Sequence, residues 1–110
     1  MSRETVLDLK RGDGTTTKKT VPTNTTELFL NERQLVALSA NVALLQHMRD
    51  LRLIDNAFAE IPAGVLTMTR LVRLNLSGNQ LSSVPPEIGC LTALKSLGVR
   101  LALSARPPLN

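Results

Sequence analysis

A repeat of 23 residues constrains this sequence more than any other feature. Leu71 and Leu94 begin equivalent units, and the same interval leads back to Met48 and Thr25. Within a unit, apolar residues are expected at offsets 0, 3, 5, 10, 13, 17 and 20. The units that begin at Met48 and Leu71 are apolar at all fourteen of these positions. In a chain that is 43% apolar, this agreement would arise by chance about once in 10⁵ trials.

Each unit combines two periodicities. Offsets 3 and 5 are two residues apart, as in a strand, whereas offsets 13, 17 and 20 suit a short helix or tight turns. A unit is therefore predicted to be one strand, a bend and a return segment. The first unit keeps the pattern from Leu28 to Leu45 and departs from it only at Thr25.

Asparagine and proline recur together with the leucines. Offset 8 is Asn56 in one unit and Asn79 in the next. Because an amide side chain both donates and accepts hydrogen bonds, these residues are predicted to form a ladder that satisfies backbone groups inside the coil. Offset 14 is Pro62 or Pro85, whose fixed φ suits the start of the return segment.

The combined pattern, L-x-x-L-x-L-x-x-N-x-L-x-x-V-P-x-x-I-x-x-L, resembles the leucine-rich repeat. Its spacing and its proline are similar to the intracellular subgroup that includes Ras-pathway scaffold proteins and their plant relatives. The resemblance covers residues 25–99. It implies an α/β fold, a short solenoid with parallel strands on its concave face and short helices or turns on its convex face. It also implies a non-catalytic module that binds a protein partner.

This interpretation divides the chain into three parts. Residues 1–24 are expected to form a cap-like segment, with a strand at residues 6–9 and then a polar connector. Residues 25–96 hold three repeats, the first with Arg33 and Ser39 where Asn and Pro are expected. Residues 97–110 are interpreted as a degenerate, truncated fourth repeat without a cap. We therefore expect a segment of a longer array, with marginal stability or self-association through the open end when it is expressed alone.

The strand positions between the core leucines predict the binding surface. Equal offsets of parallel strands align in columns, and these positions alternate with the core. The protein-binding residues predicted on this face are Glu27, Phe29, Asn31, Asp50, Arg52, Ile54, Arg73, Asn75 and Ser77. Aromatic and arginine side chains are favoured interface anchors, and Arg52 is placed to cover Phe29 in the free protein. The alternative is that Asp50 and Arg73 merely pair across neighbouring strands.

The stretch GDGTTTKK, at residues 12–19, is the strongest candidate for phosphate chemistry. It resembles the nucleotide-loop motif of chaperonins. A phosphate loop, however, leads into a helix N-terminus, whereas Val21 and Pro22 follow here. We expect a solvated hairpin or a capping loop.

Neither His47 nor Cys90 has the companions that chemistry would need. His47 has no second ligand at metal-binding spacing, and Cys90 has no histidine placed to activate it. We expect Cys90 to be a buried or half-buried small residue. The sequence predicts neither an enzyme nor a cofactor or metal site.

Charge and cysteine usage indicate the compartment and the class of partner. The net charge of +4 comes from basic residues interleaved with acidic ones, which favours a solvated face over a nucleic-acid surface. A single cysteine and the lack of a long apolar run favour a cytoplasmic chain that does not bind membranes. Residues 21–30 are similar to the cap junction of extracellular repeat proteins such as the lamprey variable lymphocyte receptors, without their cysteines. Extracellular recognition, and regulation of a larger enzyme, therefore stay open as alternatives.

Overall fold

Seven strands and three 3₁₀ helices make up residues 3–100, the part of the chain that the computed structural model describes. The strands are β1 (Glu4–Arg11), β2 (Thr16–Pro22), β3 (Glu27–Phe29), β4 (Leu35–Leu38), β5 (Asp50–Arg52), β6 (Arg73–Asn75) and β7 (Ser96–Gly98). The 3₁₀ helices are Ala40–Leu44, Ala63–Thr67 and Pro86–Cys90. No helix in residues 3–100 is long and apolar enough to cross a membrane.

The repeats build one parallel sheet in the order β3-β5-β6-β7. Its register follows the 23-residue interval, because Leu28 pairs with Leu51, Leu51 with Leu74, and Leu74 with Leu97. The first three of these leucines are buried. Equivalent leucines therefore stack on the core side of the sheet, as the repeat predicts.

The return segments of the three units are 3₁₀ helices of five residues each. Pro62 and Pro85 stand immediately before the second and third helices, with φ of −55° and −68°. Their fixed backbone suits the sharp change from extended chain to helix. Within residues 3–100 every helix is of the 3₁₀ type, so short 3₁₀ segments provide the helical part of the expected α/β architecture.

A single apolar core lies between the sheet and the return segments. Leucine dominates it, and Phe58 is its largest fully buried side chain. The buried apolar residues of the repeats are Leu28, Leu30, Leu35, Leu38, Val42, Leu45, Met48, Leu51, Leu53, Phe58, Ile61, Val65, Met68, Leu71, Leu74, Leu76, Leu81 and Leu91. Since all of them occupy the repeat offsets, the sequence pattern and the core coincide.

Asn56 and Asn79 satisfy the backbone of the turns that follow the strands. The Asn56 Oδ1 atom accepts from the N–H groups of Arg33 and Leu35, at 2.9 and 3.2 Å, and its Nδ2 donates to the Leu30 carbonyl at 2.8 Å. Asn79 repeats this arrangement one unit later, with Phe58 N–H as donor and the Leu53 carbonyl as acceptor. Each amide thus links its own turn to the preceding one.

The N-terminal segment is an antiparallel hairpin that covers the first repeat. Strand β1 includes residues 6–9, and its alternation buries Leu7 and Leu9 while Val6 is exposed. β1 pairs with β2 on one side and, antiparallel, with β4 on the other. The polar connector predicted after the first strand therefore includes a second strand. Val21 is the only residue of β2 that is buried, so the sequence offers no alternating apolar signal for it.

Ser39 explains why the first unit departs from the proline pattern. Its Oγ accepts from the Asp8 N–H at 3.0 Å, and its own N–H donates to the Asp8 carbonyl at 3.1 Å. Proline has no N–H and no hydroxyl, so it could make neither bond. The Asn41 side chain adds a bond to the Val6 carbonyl at 3.2 Å. These contacts fasten the hairpin to the first return segment.

Two expectations about the C-terminal part of the repeats need correction. Cys90 is exposed rather than buried or half-buried, because it lies at the end of the third 3₁₀ helix while its neighbour Leu91 points into the core. Leu97, at a core offset, is 40% exposed, because it lies on β7, the last strand of the sheet in residues 3–100. Of the predicted degenerate fourth repeat, residues 101–110 lie outside the described residues.

Candidate functional site

The outward face of the parallel sheet aligns six of the nine predicted binding residues in two columns. Glu27 pairs with Asp50, and Asp50 with Arg73, at the first strand position. Phe29 pairs with Arg52, and Arg52 with Asn75, at the third. Because strands in a sheet are about 4.8 Å apart, side chains of successive repeats lie close enough to touch.

Asp50 is the centre of the charged contacts on this face. Its carboxylate accepts two hydrogen bonds from Arg52, one from Nε and one from Nη2, both at 3.2 Å. Arg73 reaches the same carboxylate from the next strand, with Nη1 at 3.9 Å from Oδ2. The Asp50–Arg73 pairing therefore exists, as the alternative interpretation proposes, but the closer contact is with Arg52.

Arg52 also stacks on Phe29. Its guanidinium carbon lies 4.6 Å from the centre of the Phe29 ring, a cation–π distance. The pKa of Arg52 is raised above its usual value, first by the hydrogen bonds to Asp50 and then by the charges of Asp50 and Glu27. Phe29 is still 45% exposed. We call Phe29, Asp50, Arg52 and Arg73 the sheet-face cluster.

The remaining predicted residues, Asn31, Ile54 and Ser77, lie just after the strands, and some of their hydrogen bonds stabilise the turns. The Asn31 Oδ1 atom accepts from the Ile54 N–H at 2.8 Å, and the Ser77 carbonyl accepts from the Asp55 N–H at 2.8 Å. Asn75, in the middle column, accepts from the Ser77 N–H at 3.0 Å. These polar side chains are half-buried, as is Ile54, which continues the apolar surface beyond Phe29.

Residues 12–19 form the turn and the beginning of the second strand of the hairpin. Asp13 accepts hydrogen bonds from the Thr15 hydroxyl at 2.6 Å and from the Thr15 N–H at 2.9 Å. The pKa of Asp13 is therefore lowered, first by the Thr15 hydroxyl and then by its N–H. Strand β2, rather than a helix, follows this turn, so the helix N-terminus that a phosphate loop needs is replaced by a strand.

His47 and Cys90 are both exposed and lie in different repeats. Among residues 3–100, no group of three or more His, Cys, Asp or Glu side chains is arranged to hold a metal ion.

The sequence analysis did not predict a second surface next to this face, a groove that includes the exposed side chains of Arg49 and Arg70. Two surface hollows of about 450 and 470 Å³ lie where the parallel strands begin, and both are lined by Thr26, Arg49 and Val72. These three shared residues occupy the positions just before β3, β5 and β6. The same column argument applied one residue earlier would have found them.

Comparison with known proteins identifies relatives of the repeats. No protein-family model matches the chain. A segment of 52 residues, 46% of the chain, is 42% identical to leucine-rich repeat serine/threonine-protein kinase 1 from Mus musculus and spans 3% of that protein.

Two solved structures share the fold. The leucine-rich-repeat protein LIC12759 of Leptospira interrogans is similar over 72% of this chain, with a TM-score of 0.67 and 30% identity. The leucine-rich-repeat ectodomain of the receptor kinase SOBIR1 from Arabidopsis thaliana is similar over 87%, with a TM-score of 0.56 and 22% identity. The chain spans 20% and 53% of those two structures. The chain is thus a leucine-rich-repeat protein with a solenoid of strands and short helices.

Proposed function

We propose that this leucine-rich-repeat chain is a non-catalytic module that binds a protein partner through the outward face of its parallel sheet, the concave side of the solenoid. The observation that carries the proposal is the exposed Phe29 ring with Arg52 stacked on it. Aromatic and arginine side chains are enriched among the residues that dominate binding energy at protein interfaces. A pair of this kind on a solvent-facing sheet is suited to be the anchor of an interface.

The hydrogen bonds of Arg52 favour recognition because they fix its side chain before a partner arrives. Both bonds to Asp50 hold the guanidinium over Phe29. An anchor that is already ordered loses less conformational entropy on binding than a free arginine. Arg73, whose side chain is 65% exposed, remains accessible at the edge of the sheet-face cluster.

The proposed setting is a cytoplasmic signalling scaffold. Cys90 is the only cysteine and is unpaired, which fits a reducing compartment. The 23-residue repeat with proline, similar to that of Ras-pathway scaffold proteins, supports the same setting. We propose that its partner is a protein rather than a nucleic acid or a membrane, because the cluster combines an apolar ring with charges of both signs.

A second candidate is that the repeats regulate a larger enzyme. The similarity to a leucine-rich-repeat protein kinase from mouse favours it. Long-read sequencing of the transcript that encodes this chain separates the two proposals. A kinase domain in the same reading frame would support the second candidate, and a transcript that encodes repeats without a catalytic domain would support the first.

Affinity capture with two matched variants tests the binding face. In Phe29→Ser/Ile54→Ser the apolar groups of the sheet face and the stacking of Arg52 on Phe29 are removed, while Asp50 and its arginines are not substituted. The control, Val6→Ser/Leu44→Ser, removes two exposed apolar side chains from the hairpin and the first 3₁₀ helix, which are 42% and 57% exposed.

We expect the control to capture the same partner from cell lysate as the wild-type chain, and the sheet-face variant to lose it. Circular dichroism spectra of all three chains check that they fold. If the folded sheet-face variant captures the same proteins as the control, the proposal is wrong.

A further inference from the structure

The edge where the parallel strands begin carries a continuous groove. The two hollows described above share Thr26, Arg49 and Val72, so they adjoin along this edge. The first hollow continues towards Glu27 and Asp50, and the second towards His47, Arg70 and Ala93. The groove thus runs along the residues that precede β3, β5 and β6, and it ends at Ala93, ahead of β7.

Backbone carbonyls along this edge are engaged in hydrogen bonds between repeats. The carbonyls of Thr26, Arg49 and Val72 each accept two N–H groups from the next repeat, at 2.8 to 3.1 Å. These paired bonds hold successive repeats at a constant spacing. Recognition along the groove therefore depends on side chains.

Two exposed arginines stand out among the side chains of the groove. Arg49 and Arg70 are exposed, and neither belongs to the ion pairs found in residues 3–100, both of which use Asp50. The second hollow has no carboxylate in its lining, while Arg49, Arg70 and His47 all contribute to it. Lys95, also exposed, occupies the position of Arg49 two repeats further on. We call His47, Arg49, Arg70 and Lys95 the basic edge.

We propose that the basic edge binds an acidic segment of a protein partner, with carboxylates of the segment placed against Arg49 and Arg70. The threonine hydroxyls of Thr26 and Thr69 line the same groove and offer hydrogen bonds. Complementary charge of this kind directs association and register more than it adds affinity. This surface adjoins the sheet-face cluster, since Asp50 and Arg73 line the first hollow, but Arg49 and Arg70 lie outside that cluster.

The shape and lining of the groove favour a peptide over a nucleic acid. Val72 and Ala93 give it apolar patches that suit the methylene groups of glutamate side chains. At the other end, Glu27 and Asp50 would repel acidic groups, so the carboxylates of the segment are confined to the stretch around Arg49 and Arg70. Three strands about 4.8 Å apart span roughly 10 Å, which is the length of about three extended residues.

A fluorescein-labelled hexaglutamate peptide is a direct probe of the basic edge. Its binding to the whole chain is measured by fluorescence anisotropy at about 20 mM and about 150 mM NaCl, because exposed charges are screened by salt. The test variant is Arg49→Gln/Arg70→Gln. The control, Lys10→Gln/Lys18→Gln, removes the same charge from exposed positions of the hairpin. A hexaglutamine peptide and a single-stranded oligonucleotide serve as competitors.

We expect saturable binding of hexaglutamate at low salt, weakened about tenfold in the Arg49→Gln/Arg70→Gln variant and less than about twofold in the control. Hexaglutamine should not compete. Equal weakening in the two variants would overturn the proposal, since it would reflect net charge alone. Absence of binding to the wild-type chain, or preference for the oligonucleotide through the same arginines, would also overturn it.

This experiment is independent of the test of the sheet face. A chain with Arg49→Gln/Arg70→Gln that still captures a partner lost by Phe29→Ser/Ile54→Ser would leave the proposed function intact. The hexaglutamate result would then decide the basic edge alone.

Discussion

At the scale of single residues, polar side chains on the repeats have two different roles. Asn56 is buried, and its side-chain amide forms hydrogen bonds with the backbone of its own and the preceding turn. Asp50 is buried to a similar degree but holds two arginines at the surface. The same solenoid thus uses one class of polar residue for its fold and another to order the surface that we propose binds a partner.

Replacing Asn56 should destabilise the chain strongly. In Asn56→Ala the N–H groups of Arg33 and Leu35 and the carbonyl of Leu30 lose their partner in a buried turn. We expect the free energy of unfolding to fall by about 2–4 kcal/mol, because unsatisfied buried backbone groups each cost about 1–3 kcal/mol. Urea denaturation measures the change. Asn24→Ala, at an exposed amide, is the control and should stay within about 0.5 kcal/mol of wild type.

The hairpin turn should show an acidic carboxyl group. Because the hydroxyl and N–H of Thr15 donate to Asp13, the pKa of Asp13 lies below its ordinary value of 3.8. A lowered pKa in the folded state stabilises the fold above that ordinary value, and the contribution is lost as the pH falls through the lowered pKa. Titration of the carboxyl carbon by NMR should show a rise of this pKa in Thr15→Val. An unchanged pKa would show that the hydroxyl bond does not form in solution.

At the scale of elements, the hairpin and the first repeat depend on each other. β1 pairs with β4, and Ser39 joins the two elements through both of its polar groups. The second and third units have proline at this position, Pro62 and Pro85, and no antiparallel strand pairs with them in residues 3–100. The first unit therefore has Ser39 instead of proline, because its neighbour is the hairpin and not another repeat.

Installing the repeat's own proline should weaken the first unit. The φ of Ser39 is −61°, which proline can adopt, so Ser39→Pro removes two hydrogen bonds without imposing strain on φ. We expect a loss of about 2–3 kcal/mol in the free energy of unfolding, and about 1 kcal/mol for Ser39→Ala, which loses only the Oγ bond. Denaturation curves measure both. A Ser39→Pro chain as stable as wild type would contradict the fastening role of Ser39.

The sequence predicted elements wherever apolar spacing reports on burial. Leu28, Leu51 and Leu74 share one offset and one register, and the predicted leucine-rich repeat is confirmed by its structural neighbours. β2 was not predicted because its residues are polar on both faces except at Val21. β4 was not distinguished from a return segment because Leu35 and Leu38 fit the repeat offsets equally well, and its partner strand lies far away in sequence.

The sequence also predicted only part of the candidate site. The stack of Arg52 on Phe29 follows from strand pairing, since the two residues share an offset in adjacent repeats. The sharing of Asp50 between Arg52 and Arg73 does not follow, because it depends on side-chain rotamers. The basic edge was missed because its residues lie before the strands, outside the columns that were considered.

At the scale of the whole molecule, the repeats present two adjoining surfaces and a covered N-terminal end. The hairpin closes this end of the core with Leu7, Leu9 and Val21. The sheet face carries an ordered aromatic–arginine pair, and the adjoining edge carries Arg49 and Arg70, which belong to neither of the ion pairs found in residues 3–100. The account predicts that partner binding and stability respond to different substitutions, since the core and these surfaces use different residues.

Site-specific photocrosslinking tests the central claim, that a protein partner binds the sheet face, most directly. A benzophenone amino acid is placed at Phe29 in one chain and, as a control, at Leu44 in another, both exposed apolar positions. The account predicts that irradiation in cell lysate joins a protein to the chain labelled at Phe29, that excess unlabelled wild-type chain competes it away, and that the chain labelled at Leu44 does not form this product. Equal crosslinking from both positions, or a product at Leu44 alone, would contradict it.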